Sequence, residues 1–245
     1  MEEFARRLTE EIVANGGVVG DDQETSPDMV LAVGGDGTML GAVQSAFRWD
    51  VPVLGFNLGT LGFLTEAEPD DLSAVVKRLE AGDFDIDARL TVAASIGDTR
   101  AVGVNDVVVE KIDSTRLVSL TVFIDGTEFA TYRADGLIIA TPTGSTAYSF
   151  SAGGPVVDPH VDALVLTPVA SHSLFDRPLV LPAGAEIAVT VHRDRLVRVN
   201  VDKTDLGQLS EGETVTIVRG NRPARFVTFG TTSFSGLVRQ KFRLE

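Results

Sequence analysis

The sequence predicts two domains of different class, an α/β domain over residues 1–88 and a β-rich domain over residues 89–230. Up to about residue 84, short apolar runs alternate with stretches of helical spacing, which is typical of a Rossmann-like parallel sheet covered by helices. Beyond that point, strand-forming runs follow one another with turn residues between them. This second pattern predicts a β-sandwich-like domain.

The predicted elements of the first domain alternate regularly. They are helix 2–14, strand 29–33, helix 38–48, strand 51–58 and helix 69–82. Phe4, Leu8 and Ile12 recur every four residues, which indicates an amphipathic helix. The last helix is bounded by Pro69 at its start and Gly82 at its end. In the second domain, Asp125-Gly126 predicts the turn of a β-hairpin.

The composition excludes several classes of protein. With 245 residues and 44% apolar residues, the chain is long enough and apolar enough to bury a core. It contains no cysteine and three histidines, which argues against disulfides, thiolate chemistry and a structural zinc site. No apolar stretch approaches the length of a membrane span, and residues 1–13 are unlike a signal peptide. We therefore expect a soluble cytoplasmic protein.

The chain is strongly acidic, with a net charge of −14 and four lysines against seventeen arginines. Such a surface repels nucleic acid and anionic membranes, so we expect neither as a partner. An aspartate-rich, lysine-poor composition resembles that of proteins from salt-loving archaea, in which salt screens the self-repulsion. An ordinary acidic cytosolic protein is the alternative.

The sequence GGDGT, residues 34–38, follows a predicted strand and opens a predicted helix. This is the context in which phosphate binds to a helix N-terminus. The spacing matches neither a P-loop nor the dinucleotide fingerprint. A carboxylate at Asp36 can orient or deprotonate an attacking hydroxyl, with a metal ion between it and the phosphates. The alternative is a tight turn with Asp36 near a helix cap.

A second glycine-rich loop, NLGTLGF (residues 57–63), also follows a predicted strand. Ligands of open α/β sheets bind beyond the carboxyl ends of the strands, so we expect this loop and the GGDGT turn to share one crevice. Phe63 either stacks on a ring of the ligand or belongs to the core.

Two further stretches offer polar groups to a ligand. Asn105 and Asp106 precede an apolar strand and are able to hydrogen-bond a pair of sugar hydroxyls, although an Asn-Asp turn is the alternative. Residues 132–159 are dense in glycines and hydroxyls that suit a polar ligand, unless they form only a Ser/Thr-rich loop. The groups in question are Thr141, Thr143, Gly144, Ser145, Thr146, Tyr148, Ser149 and Ser151. Asp135 can accept from an amine or a hydroxyl.

Taken in order, GGDGT, NLGTLGFL, Asn105-Asp106, ADGLIIATPTGSTAYSFSAGGP and SHSLFDRPLVLP resemble the NAD kinase family. The resemblance runs from about residue 28 to the end of the chain, and its fourth motif is highly specific. It implies that residues 231–245 return to the first domain. It also implies a kinase that transfers a phosphoryl group from ATP or polyphosphate to the adenosine-ribose 2′-hydroxyl of NAD, assisted by Mg²⁺ or another divalent cation.

The same resemblance assigns residues to roles. It implies that Asp36 acts on the hydroxyl and that Gly34, Gly35, Gly37 and Thr38 line the phosphates of the donor. The residues expected to contact NAD are Asp36, Phe63, Asn105, Asp106, Asp135, Thr143, Thr146, Ala147, Tyr148 and Ser151. Assembly as a homodimer or homotetramer is also implied.

The chain departs from the family pattern in three places. It starts in the first helix, so the α/β sheet is expected to lack its usual first strand. Asp106 stands where glutamate is common, and residues 199–209 stand where many members have an Asp-Gly-Gln turn. The missing strand leaves one alternative, a catalytically impaired NAD(P)-binding paralogue or sensor. The GGDGT motif leaves another, a lipid kinase that shares it. The hydroxyl-rich stretch 141–151 favours a polar acceptor over a lipid.

Overall fold

The computed structural model describes residues 1–20, 26–59, 62–113, 115–192, 195–231 and 233–244. The chain divides into two compact units. The N-terminal unit comprises Met1–Ala88 and Ala224–Glu245, and the C-terminal unit comprises Arg89–Pro223. Each unit has its own sheets and its own apolar core.

The N-terminal unit is a four-stranded sheet with helices. In chain order its elements are α1 (Glu2–Ala14), β1 (Val30–Val33), α2 (Asp36–Trp49), β2 (Val53–Phe56), a 3₁₀ turn (Pro69–Asp71), α3 (Leu72–Glu80), β3 (Asp85–Arg89), β16 (Ala224–Thr228) and α5 (Phe234–Phe242). The strands lie in the order β1-β2-β16-β3. β2 is parallel to both β1 and β16, as predicted for a parallel sheet.

Apolar side chains at the predicted helical spacing hold this unit together. Phe4 and Leu8 of α1 are buried, and the ring of Phe4 lies 5.5 Å from that of Phe56 at the end of β2. Val75 and Val76 of α3 join the same core. Among the described residues, Val30–Val33 is the first strand of the chain, and it lies within the predicted strand 29–33.

The C-terminal unit consists of two six-stranded sheets, and the strand pairings given for it are antiparallel. The first sheet, in spatial order, is β5 (Thr99–Gly103), β4 (Val92–Ile96), β15 (Thr214–Arg219), β12 (Ile187–His192), β7 (Val118–Ile124) and β8 (Thr127–Ala134). The second is β11 (Leu179–Pro182), β10 (Ala163–Val169), β9 (Gly136–Ala140), β6 (Asp106–Lys111), β13 (Val197–Val201) and β14 (Thr204–Leu209). A short 3₁₀ turn (Thr143–Thr146) and α4 (Tyr148–Ser151) follow β9.

One apolar cluster receives side chains from both sheets, which confirms the β-sandwich-like prediction. Leu120 and Ile187 of the first sheet and Ile139 of the second are fully buried in it. The predicted hairpin turn joins β7 to β8, where Asp125 and Gly126 both have positive φ (49° and 75°). Positive φ at both central residues is the requirement of a tight two-residue hairpin turn.

None of the helices described is both long enough and apolar enough to cross a membrane.

Candidate functional site

The GGDGT turn connects β1 to α2 at the carboxyl end of the strand. Gly34 has a φ of +152°, and a Cβ atom placed there would lie 2.4 Å from Oγ1 of Thr38, so only glycine fits. Gly35 is the N-cap, and its carbonyl accepts hydrogen bonds from the N–H groups of Thr38 and Met39. Gly35, Gly37 and Thr38 are exposed. The turn therefore presents backbone at a helix N-terminus, where the helix dipole favours an anion.

Asp36, the first residue of α2, is tied to the second glycine-rich loop. Its Oδ2 accepts from the N–H of Phe63 and its Oδ1 from the N–H of Leu64, both at 3.0 Å. A Cβ atom on Gly62 would lie 2.3 Å from Oδ1, so the loop approaches the carboxylate too closely for a side chain. The structure thus brings these two predicted loops together. Because each oxygen uses one acceptor direction on the loop, lone pairs remain for a ligand hydroxyl.

Phe63 is half-buried beside the C-terminal helix. Its ring centroid lies 6.4 Å from those of Phe234 and Phe242 of α5, and Nζ of Lys241 lies 5.6 Å from the same centroid. Sequence reasoning did not find this contact, because the two segments are far apart in the chain. Thr60 and Leu61 of the predicted loop lie outside the described residues.

In the C-terminal unit, Asn105 and Asp106 are held by the carboxylate of Asp202. Oδ2 of Asp202 accepts from the N–H of Val104 (2.8 Å), and Oδ1 accepts from the N–H groups of Asn105 (2.9 Å) and Asp106 (3.1 Å). Gly103 leaves room for this carboxylate, since a Cβ atom there would lie 2.8 Å from Oδ1. Asp202 belongs to the segment that departs from the family pattern, and it was not predicted as a site residue.

Asp106 is a buried carboxyl group with only 6% of its surface exposed. Burial, and secondarily the charge of Asp202, raises the pKa of Asp106 to about 7. Burial also raises the pKa of Asp202, although the three N–H donors oppose that shift. The two carboxyl groups therefore share protons at higher pH than isolated aspartates do, and Asp106 can donate as well as accept near neutral pH.

The hydroxyl-rich turn packs directly on this pair of residues. Oγ1 of Thr141 donates to the carbonyl of Val104 (2.5 Å), and the N–H of Thr141 donates to the carbonyl of Asn105 (2.8 Å). A Cβ atom on Gly144 would lie 2.0 Å from that same carbonyl oxygen. The structure thus brings together the predicted residues 105–106 and the start of the turn.

The hydroxyls of this turn divide into two groups. Those of Thr141, Ser145 and Ser149 are buried in internal hydrogen bonds, so they stabilise the turn and do not face a ligand. The more accessible positions are Thr146 and Ala147, which are half-buried, and Tyr148 and Ser151, which are exposed. Oγ1 of Thr143 is buried without a hydrogen-bond partner among the described residues. Sequence alone did not separate these groups.

Tyr148 links the remaining predicted residues. Its pKa is raised by partial burial and, to a smaller extent, by the charges of Glu110, Asp135 and Asp106. Asp135 forms an ion pair with Lys111, and the N–H of Lys111 donates to the carbonyl of Asp135 at 2.9 Å. Lys111 was not predicted. The antiparallel register of β6 with β9 is what brings it to Asp135.

The described residues contain no group of three or more acidic or histidine side chains that could hold a metal ion. Asp36 is the acidic group of the GGDGT turn. A divalent cation at this turn would therefore need most of its ligands from the phosphates of a bound nucleotide.

Comparison with known proteins decides the family. Residues 10–84 match the model of the ATP-NAD kinase N-terminal domain, and residues 104–229 match that of the ATP-NAD kinase C-terminal domain. The chain belongs to the NAD kinase family. The NAD kinase of Moorella thermoacetica is 39% identical over 230 residues, which cover 92% of this chain and 74% of the relative. That of Wolinella succinogenes is 36% identical over 238 residues, 93% and 82% of the two chains.

Solved structures of NAD kinase relatives have the same fold. Yeast NADH kinase complexed with NADH superimposes with a TM-score of 0.83 at 30% identity, covering 92% of this chain and 69% of the yeast chain. An NAD kinase from Archaeoglobus fulgidus in complex with ATP gives a TM-score of 0.80 at 27% identity, covering 96% and 94%. The predicted family and the predicted fold class are both confirmed.

Proposed function

We propose that this chain transfers the γ-phosphoryl group of ATP to the 2′-hydroxyl of the adenosine ribose of NAD, forming NADP and ADP. The observation that carries the proposal is its 36–39% identity to NAD kinases over more than nine-tenths of its length. The acceptor is an alcohol, so the enzyme is a phosphotransferase of that class. The step forms the bond from O2′ to the γ-phosphorus and breaks the bond from that phosphorus to the β,γ-bridging oxygen.

The donor phosphates are proposed to lie at the start of α2. Gly34, Gly35, Gly37 and Thr38 supply backbone and a hydroxyl there, and small residues let phosphate oxygens approach the N–H groups. ATP is the donor we favour, since the Archaeoglobus relative was solved with it. Polyphosphate, with the same repeating phosphate chemistry, is the second candidate. Mg²⁺ or a similar divalent cation, held mainly by the phosphates of the donor, would neutralise part of their charge.

Asp36 is proposed to accept the proton of the 2′-hydroxyl. Its carboxylate is fixed by the N–H groups of Phe63 and Leu64, so it is already oriented before substrate arrives. A fixed carboxylate favours attack by a weak nucleophile mainly through position. The same contacts argue against the impaired-paralogue alternative, because they hold Asp36 in a defined place.

NAD is proposed to contact the second set of residues. Asn105 and Asp106 offer groups for a pair of ribose hydroxyls, and Phe63 offers an apolar ring surface. The other proposed contacts are Asp135, Thr143, Thr146, Ala147, Tyr148 and Ser151. The unpartnered hydroxyl of Thr143 supports its inclusion, because a buried hydroxyl without a partner is costly.

A homodimer or homotetramer is proposed for the assembled enzyme. Phe129 and Phe175 form an exposed aromatic pair with ring centroids 5.7 Å apart, and Leu174, which precedes Phe175 in the sequence, is fully exposed. Adjacent exposed apolar side chains are typical of an interface. We further propose that the enzyme works in the cytoplasm of a salt-adapted cell, a proposal that rests on composition and charge.

The activity is tested with purified full-length protein, NAD, ATP and MgCl₂, in buffers from dilute to molar KCl. NADP is measured by a cycling assay with an NADP-specific dehydrogenase. We expect NADP to accumulate in proportion to enzyme and time. Replacing ATP with polyphosphate, and NAD with NADH, defines the donor and the acceptor. Tight binding of NAD with no NADP formed from any donor would contradict the proposal and favour a sensor.

A further inference from the structure

A cavity of about 370 Å³ opens on the C-terminal unit at the ends of β6 and β7 and at the residues preceding β13. The side chains that line it include Lys111, Arg116, Arg195, Asp113, Ile112 and Leu196. Lys111 pairs with Asp135, so it connects the cavity to a residue proposed to contact NAD. The volume lies in the range of small-molecule sites.

The lining is unusual for this chain because it is basic. Among the described residues of the lining, three cationic side chains meet one carboxylate, whereas the whole chain has 21 Lys and Arg against 35 Asp and Glu. Arg116 and Arg195 make no salt bridge or hydrogen bond within the part of the chain that is described, so their guanidinium groups are available to a ligand. Like charges repel one another unless an anion lies among them.

Asp113 is the carboxylate among the described residues of the lining, which also include Arg116 and Arg195. Its Oδ1 accepts hydrogen bonds from the N–H and the hydroxyl of Thr115, at 2.8 and 2.7 Å. These bonds lower the pKa of Asp113 first, and the charges of Arg116 and Arg195 lower it further. Because both arginines line the same cavity, their charges can act together on one ligand.

The cavity also has an apolar side. Ile112 and Leu196 are 43% and 51% exposed, and the N–H of Ile112 donates to the carbonyl of Leu196 at 3.4 Å, which holds the two side by side. Cations next to exposed apolar side chains suit a molecule that carries both phosphate and a ring. A bare inorganic anion would leave the apolar side uncovered.

We propose that this cavity is a second binding site, for a nucleoside phosphate, held by the guanidinium groups of Arg116 and Arg195 and by Lys111. We further infer, on the basis of the proposed function, that a ligand in this cavity changes the affinity for NAD. Lys111 forms an ion pair with Asp135, and a phosphate that binds Lys111 competes with that carboxylate. Occupancy therefore changes the KM for NAD and leaves kcat nearly unchanged.

Binding is tested by isothermal titration of the full-length protein with two probes of equal phosphate content, ADP and inorganic pyrophosphate. In wild type we expect a binding event that Arg116→Ala and Arg195→Ala each weaken at least tenfold and that the double variant loses. Arg100→Ala, an exposed arginine of β5, is the matched control and should bind as wild type does. ADP also binds the donor site, so the difference between variants identifies the cavity.

Three results would overturn the proposal or part of it. Identical isotherms for wild type and the double variant would remove the site. An equal loss in Arg100→Ala would mean that general charge alone attracts the probe. Pyrophosphate binding as tightly as ADP would remove the nucleoside from the ligand. These measurements need no turnover, so their failure is distinct from failure of the kinase activity, and KM for NAD with and without pyrophosphate then tests the coupling.

Discussion

Asp106 and Asp202 bind each other through their main chains and through one side chain. The N–H of Asp202 donates to the carbonyl of Asp106 at 3.0 Å, and the N–H of Asp106 donates to Oδ1 of Asp202 at 3.1 Å. The residues are 96 positions apart. Asp202 adopts a left-handed φ of 50°, so this contact is made at the cost of backbone strain. Asp202 is thus a positioning residue for the proposed NAD contacts at Asn105 and Asp106.

Replacing Asp202 tests this role. Asp202→Ala leaves three partly buried N–H groups without an acceptor, so we expect a loss of about 2 kcal/mol or more in stability. KM for NAD should rise at least tenfold while KM for ATP stays close to wild type. Asp202→Asn keeps one acceptor oxygen and should restore part of both losses. Equal increases in both KM values would indicate a general structural defect instead.

The raised pKa of Asp106 predicts a pH dependence of stability. The native state keeps its proton up to about pH 7, whereas the unfolded state loses it near pH 4. The native state thus binds more protons, so this group lowers stability as pH rises from about 4 to about 7. Asp106→Asn mimics the protonated form. Its Tm should exceed that of wild type at pH 8, and the difference should vanish near pH 4; a constant difference would contradict the shift.

Gly144 is expected to tolerate no side chain. A Cβ atom there would lie 2.0 Å from the carbonyl oxygen of Asn105, and backbone cannot move aside cheaply. Gly144→Ala should lose about 1–3 kcal/mol of stability and weaken NAD binding. Gly184→Ala is the matched control, because a Cβ atom at Gly184 would meet nothing within 4 Å. Denaturant melts and NAD titrations compare the two, and similar behaviour would refute the packing argument.

Asp36→Asn separates the chemical role of Asp36 from its structural one. Asparagine keeps one oxygen for the loop N–H groups but is a far weaker proton acceptor. We expect kcat to fall about 100-fold with little change in KM for NAD. Asp28→Asn, an exposed carboxylate of the same unit, controls for charge. Full activity in Asp36→Asn would refute the proposed role on the hydroxyl.

The hypothesis that the protein is salt-adapted predicts that salt stabilises it. The charge of −14 repels itself in dilute buffer, and 1 M salt reduces the screening length to about 3 Å. Tm and activity should both rise as KCl increases from roughly 0.05 M, where charges are weakly screened, to about 1 M, where they are strongly screened. A non-ionic solute at matched osmolality should not reproduce the rise. An unchanged Tm across the series would favour an ordinary acidic protein.

The local pattern of the sequence predicted the elements well, because each depends on neighbouring residues. Helix α1 spans the predicted residues 2–14, and the Asp125-Gly126 turn lies where predicted. The predicted helix 69–82 instead begins with a 3₁₀ turn and ends at Glu80. Element ends depend on hydrogen bonds of the last turn, which side-chain periodicity does not encode.

The sequence did not predict the residues that support the site from distant positions in the chain. Asp202 reaches residues 104–106 only because β13 pairs with β6, and Lys111 reaches Asp135 through the pairing of β6 with β9. The hydroxyl of Ser149 looked suitable for a ligand but bonds Thr167 at 2.9 Å inside the protein. Such assignments require the strand order, which a single sequence does not give.

The strand order of the N-terminal unit has a consequence for synthesis. β16 lies between β2 and β3, so the sheet begun by the first 88 residues lacks an inner strand until residue 228 has been made. The C-terminal unit is complete at residue 223. The N-terminal unit therefore begins to be synthesised before the C-terminal unit but completes its sheet after it. Until β16 is made, the edge of β2 that pairs with β16 stays without a partner strand.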